Sequence, residues 1–419
     1  MQSIAVVGGG ITGVTTAYAL AKRGYEVTLF EQHRYVAMET SFANGGQLSA
    51  SNAEVWTHGS TLLKGLKWML RKDAPLLVDP RPTWHKLSWF AEFVASIPRY
   101  RPNTVATARL AVAARRHLFA WAEAEGIDFD LRRQGILHVY RDKAGFDHAA
   151  GVTKLLAEGG LHRRAVTPQE MRDIEPTLAG HYHGGFYTES DSTGDIHKFC
   201  VGLAAAAERL GVRIRFGQSV RRVGSDGRNA AVFAAGDEGE QRHRFDGVVV
   251  CAGVGSRALA AQLGDRVNVY PVKGYSITVN LLDAQSRQAA PVVSLLDDDA
   301  KLVTSRLGVD RFRVAGTAEF NGVDRDIRAD RIRPLVDWVN RCFPGVSTRQ
   351  VVPWAGLRPM MPDMMPRVGR GRRANVFYNT GHGHLGWTLS AATADLVADD
   401  VERAHAAHRP KAVAIVAAG

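Results

Sequence analysis

Gly8, Gly10 and Gly13 form a Gly-x-Gly-x-x-Gly array directly after the apolar run Ile4-Ala5-Val6-Val7. No other feature constrains the folding of this chain as much. A short apolar run closed by glycines reads as a buried strand. Val14, Ala17, Tyr18 and Ala21 then recur at helical spacing, and Gly24 is placed to stop the helix. Val27 to Phe30 supplies a second strand, with Glu31 at its end. About thirty residues thus spell a strand–helix–strand unit. In such a unit the first glycine permits the turn, the second lets backbone approach a pyrophosphate, and the third lets helix pack on strand. The helix N-terminus, at Ile11 and Thr12, offers free N–H groups to the phosphates. Glu31 follows Gly13 by 18 residues, where the acceptor for a ribose hydroxyl belongs, and Gln32 adjoins it. A carboxylate there, rather than an arginine, argues against a 2′-phosphate and favours FAD or NAD over NADP.

Three further segments bear on the nucleotide. Glu39-Thr40-Ser41-x-Ala43-Asn44-Gly45-Gly46-Gln47, followed by Leu48, is dense in small residues, hydroxyls and amides. Such a loop can run beside a ribityl chain and flavin ring, although an ordinary polar turn has the same composition. Val248-Val249-Val250-Cys251 is a buried strand ending at Ala252-Gly253. It reads as a second close approach to the nucleotide or as a plain core strand. Asn379-Thr380-Gly381-His382-Gly383-His384-Leu385-Gly386-Trp387-Thr388 joins a strand to a helix, with Gly386 setting the helix N-terminus near a ligand. A positive dipole end there favours the anionic N1–C2=O edge of a reduced flavin.

A chain of 419 residues exceeds one typical domain. Nucleotide signals come from its start, from roughly 195–260 and from its last sixty residues. The expectation is an α/β protein with two interleaved lobes. One is built from 1–84, 191–264 and 346–405, the other from 85–190 and 265–345, with a tail at 406–419. Helices are expected over 86–126, 196–210, 330–342 and 387–404, and strands at 212–216, 229–235 and 246–251. Hydrophobic residues are 45% and charged residues 23%, which excludes wholesale disorder. Lys plus Arg exceeds Asp plus Glu, 53 against 42, a net +11 that favours anionic partners without selecting one. No zinc-finger spacing, RNP-type motif or long basic run supports nucleic acid. Cys200, Cys251 and Cys342 form neither a disulfide framework nor a CxxC site, which fits a reducing cytoplasm. No signal-peptide layout or spanning apolar stretch is seen. Residues 61–72 are amphipathic and basic, with Lys64, Lys67, Arg71 and Lys72 set against Leu62, Leu63, Leu66 and Trp68. They read as a helix packed on the protein with its charges solvated, with contact to anionic lipid at the inner membrane face as the alternative.

The chain resembles the D-amino-acid dehydrogenase small-subunit family, within the glycine oxidase and D-amino-acid oxidase group. The resemblance rests on GGGITG, ETSFANGGQ, KGLKWMLRKDAP, ESDSTGD, YPVKGYSIT, GLRPMMPD and NTGHGHLGWT, in fixed order over roughly residues 1–402. It implies a two-lobe flavoprotein with a Rossmann-type FAD-binding domain and a mixed-sheet substrate domain. It implies oxidative deamination of amino acids, with electrons passed to a respiratory acceptor such as a quinone. Val220 joins the expected cofactor set on the same ground. FAD is expected to be noncovalent, since the C-terminal flavin segment has no cysteine.

An amino-acid substrate needs its carboxylate fixed. Arg358, in Gly356-Leu357-Arg358-Pro359, can do so with a bidentate fork and also borders the cofactor. Tyr275 can add a phenol hydrogen bond or act as a lid, or be a half-buried sheet residue. His384 can contact flavin or orient substrate, or cap a helix. No general base is needed if the α-hydrogen leaves as hydride from a neutral amine. Asn52 stands where D-alanine-type relatives tend to carry a tyrosine, and Trp56 follows in the same substrate-facing loop. Met360-Met361-Pro362-Asp363 also departs in part from the family pattern. These departures put a preference for D-alanine in doubt. An oxygen-using amine oxidase of the glycine, sarcosine or D-hydroxyproline type is the rival enzyme. A non-catalytic FAD-binding subunit is the rival from another class.

Overall fold

A computed structural model describes residues 2–59 and 75–408. The basic stretch 61–72 and most of the 406–419 tail lie outside the described residues.

The opening strand–helix–strand unit forms as the glycine array dictates, with strands Ser3–Val7 and Glu26–Phe30 parallel around helix Ile11–Lys22. The six-stranded sheet runs Arg367–Arg370, Val376–Thr380, Gly247–Val250, Ser3–Val7, Glu26–Phe30, Arg213–Arg215. Its pairings are parallel except that between Arg367–Arg370 and Val376–Thr380. Parallel strands covered on both faces read as continuous apolar runs. Here Ile4, Val6 and Val249 pack toward helices Ile11–Lys22, Ile196–Arg209 and Gly386–His408. Ala5, Val7, Val248 and Val250 pack toward the three-stranded sheet Ser219–Ser225, Ala230–Gly236, Gly239–Phe245.

The second sheet has nine strands, in the order Val351–Met360, Tyr270–Asn280, Arg311–Phe320, Leu302–Leu307, Ser294–Asp297, Ile136–Tyr140, Gly184–Thr188, Arg164–Val166, with Leu76–Val78 paired to Arg311–Phe320. It is mixed. One face is covered by helix Ala329–Cys342, whose Leu335, Trp338 and Val339 pack on Ile277, Val279, Phe312 and Val314.

Two expectations need correction. Strand Val351–Met360 lies in the segment assigned to the nucleotide lobe, yet it pairs over ten positions with Tyr270–Asn280 in the other sheet. Leu76–Val78 likewise leaves the first segment to join that sheet. Proximity in sequence to nucleotide motifs assigns both to the nucleotide lobe, whereas strand pairing is decided by register with distant partners. The hairpin strand Gly239–Phe245 was not anticipated, because its sequence is polar and its face exposed. The helices over 196–210 and 330–342 stand as Ile196–Arg209 and Ala329–Cys342.

Candidate active site

The glycine array behaves differently at each position. Gly8 has φ +105°, and a Cβ there would meet the Cys251 carbonyl oxygen at 2.6 Å. A Cβ on Gly13 would stand 1.7 Å from the Gly8 carbonyl oxygen, so helix and strand touch through backbone. On Gly10 the nearest atom to a Cβ is Ser41 Oγ at 3.6 Å, which leaves this position open for a ligand to approach. Ser41 Oγ accepts the Ile11 N–H at 3.1 Å. Glu31 is buried, and its carboxylate accepts the Gly9 N–H at 2.7 Å and the His33 N–H at 2.8 Å. Burial pushes the Glu31 pKa up, against the lowering effect of those two N–H groups.

These residues open on a cavity of about 1200 Å³. A pocket for one small ligand holds roughly 300–1,000 Å³, so this space accommodates a cofactor and a substrate together. Its wall includes Gln32, Thr40, Asn44, Val220, Ala252, Gly253 and the whole Gly381–Thr388 segment. The N-termini of helices Ile11–Lys22 and Gly386–His408 both border it. The loop at 40–47 is held from the other lobe. Thr40 Oγ1 donates to the Leu357 carbonyl at 2.8 Å, Ser276 Oγ to that of Ala43 at 2.7 Å, and Ser305 Oγ to that of Gly45 at 2.6 Å. Gly46 has φ +68° and its N–H donates to Asn44 Oδ1. Gln47 Nε2 donates to Ser294 Oγ at 2.7 Å, so its amide is held by the second sheet. Gly13 and Leu48 do not border the cavity. Gly13 acts through packing, and Leu48 belongs to the core with Phe129 and Trp387.

The residues present fit FAD. His382 Nδ1, His384 Nδ1 and Trp387 Nε1 are buried without a hydrogen-bond partner among the described residues, and all three side chains belong to the cavity wall. Orphaned buried polar atoms carry a penalty that a bound polar group relieves.

Arg358 is half-buried in the same wall. Its Nη1 donates to the Thr317 carbonyl at 2.7 Å, and Nη2 faces the Gly316 carbonyl at 3.5 Å. No carboxylate among the described residues pairs with it. Burial alone lowers its pKa to about 10, so it stays charged at neutral pH. A desolvated guanidinium without an anion is an anion-binding group. His384 sits beside it. Burial first, then the charge of Arg358, lowers the His384 pKa to about 4, so its ring is neutral. The ring stacks on Trp56 at 5.0 Å between centroids and 20° between planes, and Nε2 faces the Asn52 carbonyl at 3.4 Å. The fold therefore brings Arg358, His384, Asn52 and Trp56 together.

Tyr275 borders the same cavity, but its hydroxyl turns away from them. Arg358 lies opposite Val272, and Gly356 opposite Gly274, so Val272, Gly274 and Ser276 share the face of Arg358. Tyr275 lies on the other face, buried, where its hydroxyl donates to Glu319 Oε2 at 3.1 Å. That face also holds Lys273, whose Nζ donates to Asp324 Oδ2 at 2.8 Å. The expected carboxylate or lid role is withdrawn because strand alternation points the phenol into the core.

Two neighbours of Arg358 escaped the sequence reading. Thr317 has φ +56°, an uncommon conformation for a non-glycine residue, and presents its carbonyl to Arg358. Gly274 leaves room for the guanidinium, since a Cβ there would fall 2.2 Å from Arg358 Nη1. A glycine in mid-strand is the signal that could have found it. Gly274→Ala is expected to displace the flexible end of Arg358 while leaving the sheet intact. KM should rise about tenfold with little change in Tm, and an unchanged KM would show that Arg358 does not need that space.

His138 and His382 are buried and His384 is half-buried, and all three are neutral. Burial lowers the pKa values of His138 and His382 to about 3 and that of His384 to about 4. Each folded value lies below the unfolded one of about 6.5. Their contribution is present above pH 6.5 and is lost as pH falls toward 4 and below, because the unfolded chain binds the extra protons. Tm should therefore fall steadily across that range, and a smaller acid-side fall in His138→Gln would confirm the source.

Fold and cavity define a class: a two-lobe dinucleotide-dependent protein in which a nucleotide cradle adjoins an anion anchor. The family described as FAD dependent oxidoreductase matches residues 3–400. D-amino acid dehydrogenase 3 of Mesorhizobium japonicum is 64% identical over 398 residues, 95% of this chain and 96% of that protein. D-amino acid dehydrogenase of Paramagnetospirillum magneticum is 42% identical over 425 residues, 99% and 97% of the two chains. Among solved structures, glycine oxidase from Geobacillus kaustophilus aligns with a TM-score of 0.73 at 22% identity, over 96% and 95% of the chains. At that identity the likeness is one of fold. The chain belongs to the FAD dependent oxidoreductase family, and its cofactor is FAD.

Proposed function

We propose that the protein oxidatively deaminates D-amino acids and passes the electrons to a quinone-class acceptor. The observation that carries the first part is Arg358, a charged guanidinium with no carboxylate partner among the described residues, bordering the cavity that the nucleotide glycines open. The identity to proteins named D-amino acid dehydrogenase supports the stereochemistry. FAD, held by Gly8, Gly10, Glu31, the 40–47 loop and the 381–388 segment, supplies the hydride acceptor. Arg358 takes the substrate carboxylate and so fixes the position of Cα. The charge of Arg358 and the poor solvation of the cavity lower the pKa of the substrate amine, so that it is neutral when the hydride leaves. His384, neutral, adds no second positive charge. The imine then hydrolyses to a 2-oxo acid and ammonia.

An apolar acceptor is supported by helix Trp84–Ala95 at the cavity rim. Trp84, Leu87 and Val94 are 80%, 54% and 46% exposed, and Leu87 and Val94 border the cavity. A membrane quinone as acceptor would place the protein at the inner face of a membrane. No helix among the described residues is long and apolar enough to cross one. The test is anaerobic addition of single D- and L-amino acids, glycine and N-methylglycine to the FAD-loaded protein. Loss of the visible flavin absorbance with a D-amino acid, slow recovery in air and fast recovery with a soluble quinone is the expected result. Reduction only by glycine or N-substituted amines, with fast recovery in air, would replace this reading with an oxidase.

A further inference from the structure

The segment from Asn52 to Trp56 runs along the cavity. Ala53 and Val55 are buried in apolar clusters, and Asn52, Glu54, Val55 and Trp56 border the cavity. The Asn52 carbonyl and the Trp56 ring both reach His384. Glu54 lies between them in the chain, and two extended residues span at most about 7 Å. Glu54 therefore borders the same cavity as the Arg358–His384 pair.

Glu54 is built into that position. Its Oε1 accepts from the Tyr100 hydroxyl at 2.7 Å and from His148 Nε2 at 3.0 Å. Burial opposes its ionisation, but these two hydrogen bonds together with the charge of His148 outweigh it and hold its pKa below the usual carboxylate range. Its Oε2 has no hydrogen-bond partner among the described residues, and the side chain keeps 30% exposure, with the cavity beside it. Asp298 also borders the cavity, paired there with Lys301 Nζ at 2.6 Å. Aromatic rings flank the place: His58 meets Tyr100 at 4.9 Å, and Trp56 lies flat on His384. The Glu54 carboxylate, framed by aromatic faces in a chain of net charge +11, makes a local cation site.

Resting on the D-amino acid reading above, we propose that the preferred substrates carry a cationic side chain, with the α-carboxylate on Arg358 and the side-chain ammonium or guanidinium on Glu54 Oε2. Two anchors of opposite sign on one wall also set the orientation of Cα between them. His384, uncharged beside Arg358, adds no positive charge of its own to repel the chain.

The experiment compares kcat/KM for D-lysine, D-arginine and D-norleucine, whose unbranched side chain has no charge. It uses the FAD-loaded wild type, Glu54→Gln and Glu54→Asp, with an artificial electron acceptor. The wild type should favour D-lysine over D-norleucine by about tenfold or more. In Glu54→Gln that ratio should fall about 10- to 100-fold, mostly through KM, with Glu54→Asp in between. A wild-type ratio below one overturns the proposal, as does a ratio that Glu54→Gln leaves unchanged. If Glu54→Gln loses FAD, the wild-type ratio decides alone. Oxidation of D-norleucine without D-lysine rejects this inference and keeps the reaction, whereas no oxidation of any D-amino acid rejects the reaction itself.

Discussion

Arg358→Ala should lower kcat/KM for every D-amino acid by about a hundredfold or more, chiefly through KM, while FAD stays bound. Truncating one partner of a buried, hydrogen-bonded charge pair costs about 2–5 kcal/mol, and each 1.4 kcal/mol is a factor of ten. The substrate carboxylate would be left in a cavity with no fork to receive it. Arg358→Lys should recover only part of the loss, because a point charge cannot reproduce a bidentate contact. The pattern is read from steady-state kinetics together with the flavin spectrum of each variant. Wild-type kinetics in Arg358→Ala would remove Arg358 from the site and with it the main ground for an amino-acid substrate.

The second large effect is expected at Gly13. A methyl group there would stand 1.7 Å from the Gly8 carbonyl oxygen, a backbone atom that cannot swing aside. Gly13→Ala must push the helix Ile11–Lys22 off its strand, at a cost of about 1–3 kcal/mol or more. The N-terminal N–H groups would move with it. The purified variant should carry little FAD, bind added FAD at least about tenfold more weakly and melt at a lower temperature. A variant with stoichiometric FAD and the wild-type Tm would falsify the account of the array. Gly10→Ala is the contrasting case, since its Cβ meets nothing closer than 3.6 Å in the protein. It should fold normally and lose affinity only for the cofactor.

The parts of this protein that local chemistry dictates were legible before any coordinates. The strand–helix–strand unit needs only an apolar run, glycines at the turn and a carboxylate after the second strand. Glu31 and Gly10 stand where that logic puts them. Arg358 was legible as a candidate because GLRP stands just before the C-terminal glycine segment and an amino-acid carboxylate calls for a guanidinium; that it is a strand residue without a carboxylate partner among the described residues came from the structure. Tyr275 was misread for a reason of the same scale. One residue along a strand reverses the face, and the sequence does not say which of Gly274 and Tyr275 looks toward the ligand. The register with Val351–Met360 decides it, placing Gly274 under the Arg358 guanidinium and Tyr275 against Glu319.

The sequence by itself pointed to a dinucleotide cradle, with Glu31 as a candidate ribose acceptor and Arg358 as a candidate anchor for a carboxylate. The first two rest on contacts between residues close in the chain, the third on the place of GLRP before the C-terminal glycine segment. Only the tertiary structure decided which strands share a sheet, that Val351–Met360 leaves the nucleotide lobe, and that Thr317 turns its carbonyl to Arg358. It also brought Glu54 and Trp56 onto the wall that His384 and Arg358 share, from more than three hundred residues away in sequence. Those outcomes depend on long-range register and packing, where each contact is set by a partner that local sequence does not name.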